Sequence, residues 1–358
     1  MQRFILCAGF GYEFTNEPFS AFSAVRLKSI LNGTPRGEDR SVQSFDVGAG
    51  TVQTTILRWV NGKSSITSKT EKRFEPVTMN SYVPPVKSGT QNHFKDNQPG
   101  VMSIRDIYRA ILAIGKDDPN SLIEVSIFSH AFYKGPILVN SMDDGFVLVR
   151  GMPPGVPQDE RIPLPEGLRD PDDKDGRGFK DFVMPNMTPA EAVMFRAAFN
   201  ARGYFWVWGC NFPKMINRVL SLVEKHPKYS SSIADDQILT FSNLHRDQIE
   251  SFVGLNDFFS LDLTQLIRTR KCAIPFRAVK EALFAGTSAS YVYQLSSVMR
   301  VRAIGALYGT WAEFWGGSPK LMAINGDTLR HVEFYKRHFN YKTDTEGRNY
   351  GVFEALPP

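Results

Sequence analysis

The sequence predicts an α/β fold, a three-layer sandwich whose central sheet is mainly parallel and is covered by helices on both faces. Two observations lead to this prediction. Apolar runs of strand length alternate with amphipathic helical segments along most of the chain, and 42% of the 358 residues are hydrophobic. Alternating strands and helices are typical of a parallel sheet, and a chain of this length can bury a sizeable core. Sheets of this kind carry their functional residues at the carboxyl ends of the strands.

The N-terminal part of the chain begins the alternation. Strands are expected at residues 3–8, 41–47 and 122–130, and helices at residues 20–31 and 103–114. The second of these helices starts with a serine followed three residues later by an aspartate, which is typical of a capped helix start.

The second half of the chain continues the same pattern. Thr188, Pro189 and Glu191 form a capping-box helix start, and this helix is expected to run to about Asn200 and to end at Gly203. Further strands are expected at residues 204–210 and 300–309, and further helices at residues 212–225 and 288–299. In the helix at 212–225 the apolar residues repeat at helical spacing, which predicts one buried face.

Polar segments rich in glycine and proline interrupt this core. Residues 60–100 are predicted to be a long irregular insertion and residues 151–187 a loop. Residues 136–150 are expected to form a hairpin about a turn at Asp143, Asp144 and Gly145. We therefore expect an α/β domain at residues 1–315 with insertions at about 60–100 and 131–187, and a C-terminal extension, residues 316–358, packed on the same domain.

Composition excludes several classes of function. The net charge of +5 is small and the basic residues are scattered, so no nucleic-acid partner is predicted. The acidic stretch at residues 169–178 has Lys174 at a position where an EF-hand loop needs an oxygen ligand, so neither a metal nor another cofactor is predicted. No apolar run approaches the roughly 20 residues that span a bilayer.

The cysteine content indicates a reducing compartment. Cys7, Cys210 and Cys272 are the three cysteines of the chain, an odd and sparse set that does not form a disulfide framework. The N-terminus has the pattern of a strand and turn and not that of a signal peptide. We therefore expect a cytoplasmic protein, although secretion by a machinery that needs no cleaved signal would leave no trace in the sequence.

Two predicted strands end in residues capable of chemistry. Cys210 ends the strand at 204–210 and directly precedes a helix, whose N-terminus is expected to favour the thiolate and lower the pKa of the thiol. The alternative interpretation is a buried cysteine that serves as a small hydrophobe. His130 ends the strand at 122–130. If the two strands are neighbours, the imidazole and the thiol emerge at one rim and form a nucleophile–base pair.

The order and context of "IFSH" and "VWGC" resemble the caspase–hemoglobinase fold (clan CD) of cysteine peptidases, which includes caspases, gingipains, legumain, separase and bacterial caspase-like proteases. The resemblance covers residues 1 to about 315. It implies that Cys210 attacks a peptide carbonyl, that His130 transfers the proton, and that the backbone N–H groups of Ala131 and Cys210 form the oxyanion hole. Ala131 stands where the family commonly has glycine, and Asn211 follows the cysteine.

The same resemblance suggests where a substrate binds. The strand at 300–309 would border the substrate pocket, and Tyr308, Trp311, Asp143 and Asp144 are the expected substrate-binding residues. The partner would be a peptide or protein substrate, with a regulatory protein as a further candidate.

Two alternatives to a caspase-like peptidase stay open. One is a catalytically inactive caspase-like interaction protein. The other is an α/β-hydrolase-type enzyme in which Cys210 pairs with His331 or His338, although the chain lacks the second glycine of a nucleophile elbow.

Overall fold

A computed structural model of the chain describes residues 1–11, 18–78, 81–83, 93–94, 100–132, 135–140, 146–148, 161–163, 187–315 and 320–355. Over these residues the fold is mixed α/β, with a nine-stranded sheet and ten helices. None of the described helices combines the length and apolar character needed to cross a bilayer.

The strands, in chain order, are β1 (Gln2–Ala8), β2 (Phe10–Gly11), β3 (Arg40–Asp46), β4 (Thr51–Val60), β5 (Lys63–Lys72), β6 (Tyr82–Val83), β7 (His93–Phe94), β8 (Leu122–Phe128), β9 (His130–Phe132), β10 (Gly135–Ile137), β11 (Val139–Asn140), β12 (Phe146–Leu148), β13 (Arg161–Pro163), β14 (Phe199–Val207), β15 (Ile238–Phe241), β16 (Cys272–Pro275), β17 (Ala303–Gly305), β18 (Ala312–Trp315), β19 (Leu321–Ile324), β20 (Lys342–Thr343) and β21 (Gly351–Phe353).

The helices, in chain order, are α1 (Phe19–Asn32), α2 (Ile104–Asp117), α3 (Pro189–Ala198), α4 (Lys214–Glu224), α5 (Arg246–Gly254), α6 (Asn256–Phe259), α7 (Leu263–Thr269), α8 (Phe276–Ser288), α9 (Tyr291–Ser297) and α10 (Leu329–Phe339). The capping boxes predicted at Ser103 and Thr188 are present at the starts of α2 and α3.

The central sheet has the strand order β20-β21-β17-β14-β8-β1-β3-β4-β5. The five central strands, from β17 to β3, run parallel. Antiparallel pairs extend the sheet at both ends. The predicted parallel sheet is therefore confirmed at its centre, where β1, β8 and β14 carry almost continuous runs of buried residues, as parallel strands covered on both faces do.

Helices cover both faces of this centre. On one face, Arg26 of α1 reaches Glu124 of β8. On the other face, Tyr291 of α9 packs against Phe205 of β14 and its hydroxyl lies 2.5 Å from that of Tyr108 in α2. Since successive residues of a strand point to opposite faces, the centre of the fold has a helix–sheet–helix arrangement.

A buried polar network lies between α1 and the sheet. The Arg26 guanidinium donates from Nε to Glu124 Oε1 at 2.8 Å and from Nη2 to Glu124 Oε2 at 2.9 Å, and its Nη1 lies 2.8 Å from Glu346 Oε1. Tyr204 and Ser126 also donate hydroxyl hydrogen bonds to the Glu124 carboxylate, at 2.8 and 2.5 Å. Every oxygen of a carboxylate that is 2% exposed is therefore satisfied, which is the condition for tolerating a buried charge.

These contacts determine the protonation of Glu124. Burial alone would raise the pKa of its carboxyl group, but the charge of Arg26 and the hydrogen bonds from Arg26, Ser126 and Tyr204 together hold the pKa below its ordinary value. The ion pair is consequently charged on both sides at neutral pH.

The expected irregular insertion at residues 60–100 is wrong over its first part. Residues 63–72 form β5, which pairs along its whole length with β4 through a two-residue turn at Asn61 and Gly62. Both turn residues have positive φ, 52° and 78°, as an Asn-Gly hairpin turn requires. β5 is exposed on both faces as the last strand of the sheet, so it has no apolar alternation by which it could be recognised.

The expected hairpin at residues 136–150 is also wrong. Its two arms have other partners, since β11 pairs with β2 and β12 pairs with β13. The turn residues Asp143, Asp144 and Gly145 lie outside the described residues, as does the acidic stretch at 169–178.

The boundary between α3 and β14 differs slightly from the prediction. α3 ends at Ala198 and the strand begins at Phe199, before the glycine that was expected to end the helix. Gly203 instead allows β14 to approach β8 closely, because a Cβ there would lie 2.6 Å from Leu122 O.

The C-terminal region takes part in the sheet itself. β21 pairs antiparallel with β17, and β20 pairs with β21. The segment expected to be an extension packed on the domain therefore supplies two of the nine strands.

Candidate functional site

The ends of β8 and β14, which the sequence analysis singled out, lie side by side. The strands are parallel neighbours, and the pairing continues one residue past the end of β14, since Trp208 N donates to Ile127 O at 3.0 Å. Gly209 then packs against the segment that follows β8. A Cβ at Gly209 would lie 2.4 Å from Ala131 Cβ and 2.6 Å from Ser129 O. The segments that carry His130 and Cys210 are therefore in direct contact at one rim of the sheet.

This contact predicts a steric effect of one added methyl group. We expect Gly209→Ala to lower the free energy of unfolding by about 1–3 kcal/mol, the usual cost of overpacking, because the atoms that it would meet include backbone atoms that cannot rotate away. Gly326→Ala is the matched control, since nothing lies within 4 Å of a Cβ at that position. Urea denaturation measures both, and equal stability of the two variants would contradict the close approach of the strand ends.

His130 begins a short hairpin directly after β8. It pairs with Ile137 across β9 and β10, and its imidazole contacts the Phe19 ring edge-on at 5.3 Å between ring centroids. The Ser129 hydroxyl donates to the His130 carbonyl at 2.7 Å. Ser129 therefore bonds the backbone of this segment.

The Cys210 thiol is half-buried and faces the start of β18. It donates to Ala312 O at 3.6 Å and accepts from Ala312 N at 3.3 Å. Burial raises the pKa of the thiol above its ordinary value, and the N–H of Ala312 offsets only part of this effect.

The predicted lowering of the thiol pKa is therefore wrong. α4 begins at Lys214, four residues after Cys210. The favourable field of a helix N-terminus falls off within about one turn, so the thiol lies outside its range.

The loop after β17 is tied to the residue that follows Cys210. Asn211 N donates to Thr310 O at 3.0 Å, and Gly309 N donates to Asn211 O at 2.7 Å. The Asn211 side chain also donates to Ala306 O at 3.2 Å. Gly309 has φ +92°, a backbone conformation that glycine adopts without strain. This arrangement fixes the position of the cysteine from its C-terminal side.

Two of the four expected substrate-binding residues lie on this same loop. Trp311 packs edge-on against Phe212 with 4.4 Å between ring centroids. Tyr308 accepts a hydrogen bond at its carbonyl from the Tyr335 hydroxyl at 2.8 Å. Asp143 and Asp144 lie outside the described residues.

A small cavity lies beside the cysteine. Its volume is about 10 Å³, close to the minimum for one water molecule. It is lined by Phe132, Gly135, Val207, Gly209, Cys210, Asn211, Ser290, Tyr291, Val292 and Ala306. None of these side chains carries a formal charge at neutral pH. This cavity is therefore too small for a peptide side chain in this conformation.

A much larger cleft, of about 890 Å³, lies at the opposite rim of the sheet, where the parallel strands begin. It is lined by residues at the amino ends of β1, β3 and β8, and its floor includes the Arg26–Glu124 ion pair. Functional sites of parallel sheets lie at the carboxyl ends of the strands, so the small cavity at the other rim is the relevant one.

The two alternative histidine partners of Cys210 make other contacts. His331 is fully buried, with Nδ1 2.8 Å from Glu224 Oε1 and Nε2 2.7 Å from Asn217 Nδ2. A neutral imidazole with its proton on Nδ1 satisfies both contacts. His338 Nε2 lies 3.2 Å from the Tyr229 hydroxyl. Burial, together with the positive charges of neighbouring basic residues, lowers the pKa of His338.

A group of three residues, Glu224, the buried His331 and Asn217, supports the site indirectly. The sequence analysis did not identify this group. Asn217 also donates to Gly309 O at 3.3 Å. The chain of contacts from Glu224 through His331 and Asn217 therefore ends on the loop that holds Cys210. A histidine and a glutamate on two different helices gave no motif by which this group could be found.

Comparison with known proteins finds little similarity. No family model matches the chain, and no curated protein matches it. Among solved structures, the search finds a secreted C11 cysteine protease from Bacteroides thetaiotaomicron, "iotapain", with 9% sequence identity and a TM-score of 0.25. The alignment covers 96% of this chain and 72% of that chain. Similarity at this level assigns neither a family nor an activity.

Proposed function

We propose that this protein is a cysteine-dependent peptidase, with Cys210 as the nucleophile and His130 as the general base. The observation that supports the proposal is the contact of the two strand ends through Gly209, which brings a thiol-bearing and an imidazole-bearing segment to one rim. Acyl transfer of this kind uses a nucleophile and a base that can come within hydrogen-bond reach of each other, and neighbouring segments are where such a pair can form.

The raised pKa of Cys210 determines how the reaction would start. Because the thiol is protonated at neutral pH, His130 would take the proton as Sγ attacks the peptide carbonyl carbon. The carbonyl electron pair would move to the oxygen, where the N–H groups of Ala131 and Cys210 would stabilise the negative charge. The imidazolium would then protonate the leaving amine as the C–N bond breaks, which leaves a thioester. Water, deprotonated by His130, would hydrolyse the thioester and restore the thiol.

The thiol has to leave its present partner before this reaction. It donates to Ala312 O, so a rotation about the Cα–Cβ bond of Cys210 or a shift of the loop at Tyr308 and Trp311 would have to turn it towards His130. A substrate that displaces this loop would open the small cavity at the same time. Tyr308 and Trp311 are accordingly the proposed substrate-contacting residues, together with Asp143 and Asp144.

The test is cleavage of a peptide library by the full chain, mapped by mass spectrometry. We expect cleavage that disappears after iodoacetamide has modified Cys210. Alkylation should be carried out at alkaline pH, because a raised pKa means that the thiolate becomes abundant only above the ordinary value of about 8.5. Cys210 should be labelled before Cys7 and Cys272, since Cys7 is fully buried and Cys272 is 9% exposed.

The control is a Cys272→Ala variant, in which cleavage and its loss after alkylation should be unchanged. Cleavage that persists when Cys210 is fully alkylated would overturn the assignment of the nucleophile.

The small size of the cavity beside Cys210 favours a second candidate, a non-catalytic interaction protein with the same architecture. The thiol is hydrogen-bonded to the backbone of Ala312. The cavity beside it has room for about one water molecule. A library that is not cleaved at all, by protein whose Cys210 still reacts with iodoacetamide, would support this candidate.

A further inference from the structure

Tyr350, near the C-terminus, makes a hydrogen bond at the end of the strand that leads to Cys210. It directly precedes β21, and its side chain is fully buried. Its hydroxyl donates to the Trp208 carbonyl oxygen at 2.6 Å. Trp208 lies two residues before Cys210, so the bond fixes the plane of the peptide group between Trp208 and Gly209.

The indole ring of Trp208 is held by other groups. It stacks on the ring of Trp206 with 4.0 Å between centroids and on that of Phe128 with 5.0 Å. Its Nε1 donates to the Ser126 hydroxyl at 3.0 Å. The hydroxyl of Tyr350 therefore fixes the backbone of Trp208. The indole ring of Trp208 is held by its own contacts and does not need this hydroxyl.

Tyr350 is itself placed by a buried carboxylate. Asp344 Oδ2 accepts from Tyr350 N at 2.8 Å, and Asp344 Oδ1 accepts from the N–H groups of Glu346 and Arg348, each at 3.0 Å. Asp344 is 7% exposed. Three backbone bonds to one carboxylate fold the segment from 344 to 350 into a compact turn that presents the tyrosine to the sheet.

We infer that Tyr350 is a positioning residue for Cys210, an inference that rests on the proposed peptidase function. Its hydroxyl holds the backbone before the cysteine, and the hydrogen bonds of Asn211 to Gly309 and Thr310 hold the backbone after it. The backbone of Cys210 is thereby fixed from both sides, which orients its N–H group and the Cα–Cβ bond that carries the thiol. Preorganisation of this kind is what an oxyanion-binding N–H group requires.

The hydroxyl of Tyr350 remains a donor over the accessible pH range. Burial, followed by negative charge at Cys210 and at Asp344, holds its pKa well above the ordinary value.

The test compares Tyr350→Phe with Tyr204→Phe in the full chain. Each substitution removes one hydroxyl and keeps the ring, and Tyr204 also donates a hydrogen bond, to Glu124 Oε2 at 2.8 Å. Tyr204 lies six residues before Cys210, roughly 20 Å along the strand, so its loss should not reach the cysteine. Thermal melting establishes that both variants are folded before the two measurements below.

The first measurement does not need peptidase activity. The rate of iodoacetamide modification of Cys210, followed by mass spectrometry, should rise about fivefold in Tyr350→Phe, because the loss of one buried hydrogen bond loosens the strand end. The rate in Tyr204→Phe should stay within about twofold of the unmodified protein. Equal rates in the two variants would overturn the positioning role even if the protein proves to be a peptidase.

The second measurement uses a peptide that the protein cleaves. In Tyr350→Phe, kcat should fall about fivefold to tenfold with KM within about twofold, as expected for an interaction that acts in the transition state. Unchanged kcat would contradict the inference and leave the proposed function intact. If the unmodified protein cleaves no peptide at all, the proposed function is overturned. If the alkylation rate nevertheless changes as expected, the role of Tyr350 in positioning Cys210 still stands.

Discussion

We expect the Cys210→Ala variant to lose at least about a thousandfold in kcat/KM for any peptide that the protein cleaves, and to melt close to the unmodified protein. The loss of activity follows because the nucleophile is absent. The small effect on stability follows because the thiol is half-buried and, among the residues that the structure describes, its hydrogen bonds are two weak ones to the backbone of Ala312. Steady-state kinetics and thermal melts measure the two properties.

The His130→Ala variant should lose a similar factor, since the raised pKa of Cys210 leaves the thiol protonated and dependent on its base. The double variant should be no less active than either single one, because residues that act as a unit have non-additive effects. Cys272→Ala provides the matched control and should retain activity. A Cys210→Ala variant that melts far lower and keeps activity in its folded fraction would mean that the thiol is a packing group.

The largest effect on stability is expected near the amino ends of the parallel strands, at the buried pair of Arg26 and Glu124. Glu124→Ala should lower the free energy of unfolding by about 3–5 kcal/mol, the usual cost of leaving one partner of a buried ion pair uncompensated. Arg26 is 7% exposed and, within the part of the chain that the structure describes, would keep Glu346 as its ionic partner, while Ser126 and Tyr204 would lose the Glu124 carboxylate as their acceptor. Urea denaturation at pH 7 measures the change.

Glu346→Ala is the control for this effect. The Glu346 side chain is 32% exposed, and Arg26 retains its two bonds to Glu124 when Glu346 is removed. The loss should therefore be about 1 kcal/mol or less, as for an ion pair in which one partner is in contact with solvent. A larger loss in Glu346→Ala than in Glu124→Ala would contradict the assignment of the buried pair.

The pH dependence of stability follows from the same pair. The pKa of Glu124 is lower in the folded protein than in the unfolded chain, where it is about 4.3. The stabilisation is therefore fully present above about pH 4.3 and is lost as the pH falls through the folded-state pKa. The Glu124→Ala variant should accordingly show a flatter decline of stability in acid than the unmodified protein.

The parallel centre of the fold was predictable from the sequence, and its margins were not. β1, β8 and β14 are buried on both faces, so their apolar runs stand out between helices. β5 is a polar strand at the end of the sheet, and its only local indication was the Asn-Gly turn at 61–62. β20 and β21 are two and three residues long, too short to carry a periodic pattern.

The candidate site shows the same division. His130 and Cys210 were identifiable because each follows an apolar strand, and neighbouring strands bring their ends together. The raised pKa of the thiol was not predictable, because it depends on burial in the folded chain. The hydrogen bond that offsets part of this effect also comes from a distant residue, Ala312, 102 positions away. Tyr350 lies 142 positions from its acceptor Trp208, and no local pattern connects residues at that separation.

The position of β5 has a consequence for the behaviour of the protein at high concentration. A ten-residue strand at the end of a sheet can template pairing with another chain. Antiparallel pairing of two copies about the midpoint of β5 would place Lys63 of each copy opposite Lys72 of the other, and a parallel in-register pairing would align every lysine with itself. Both arrangements oppose like charges, so the lysines of β5 should keep this edge from joining copies into larger aggregates.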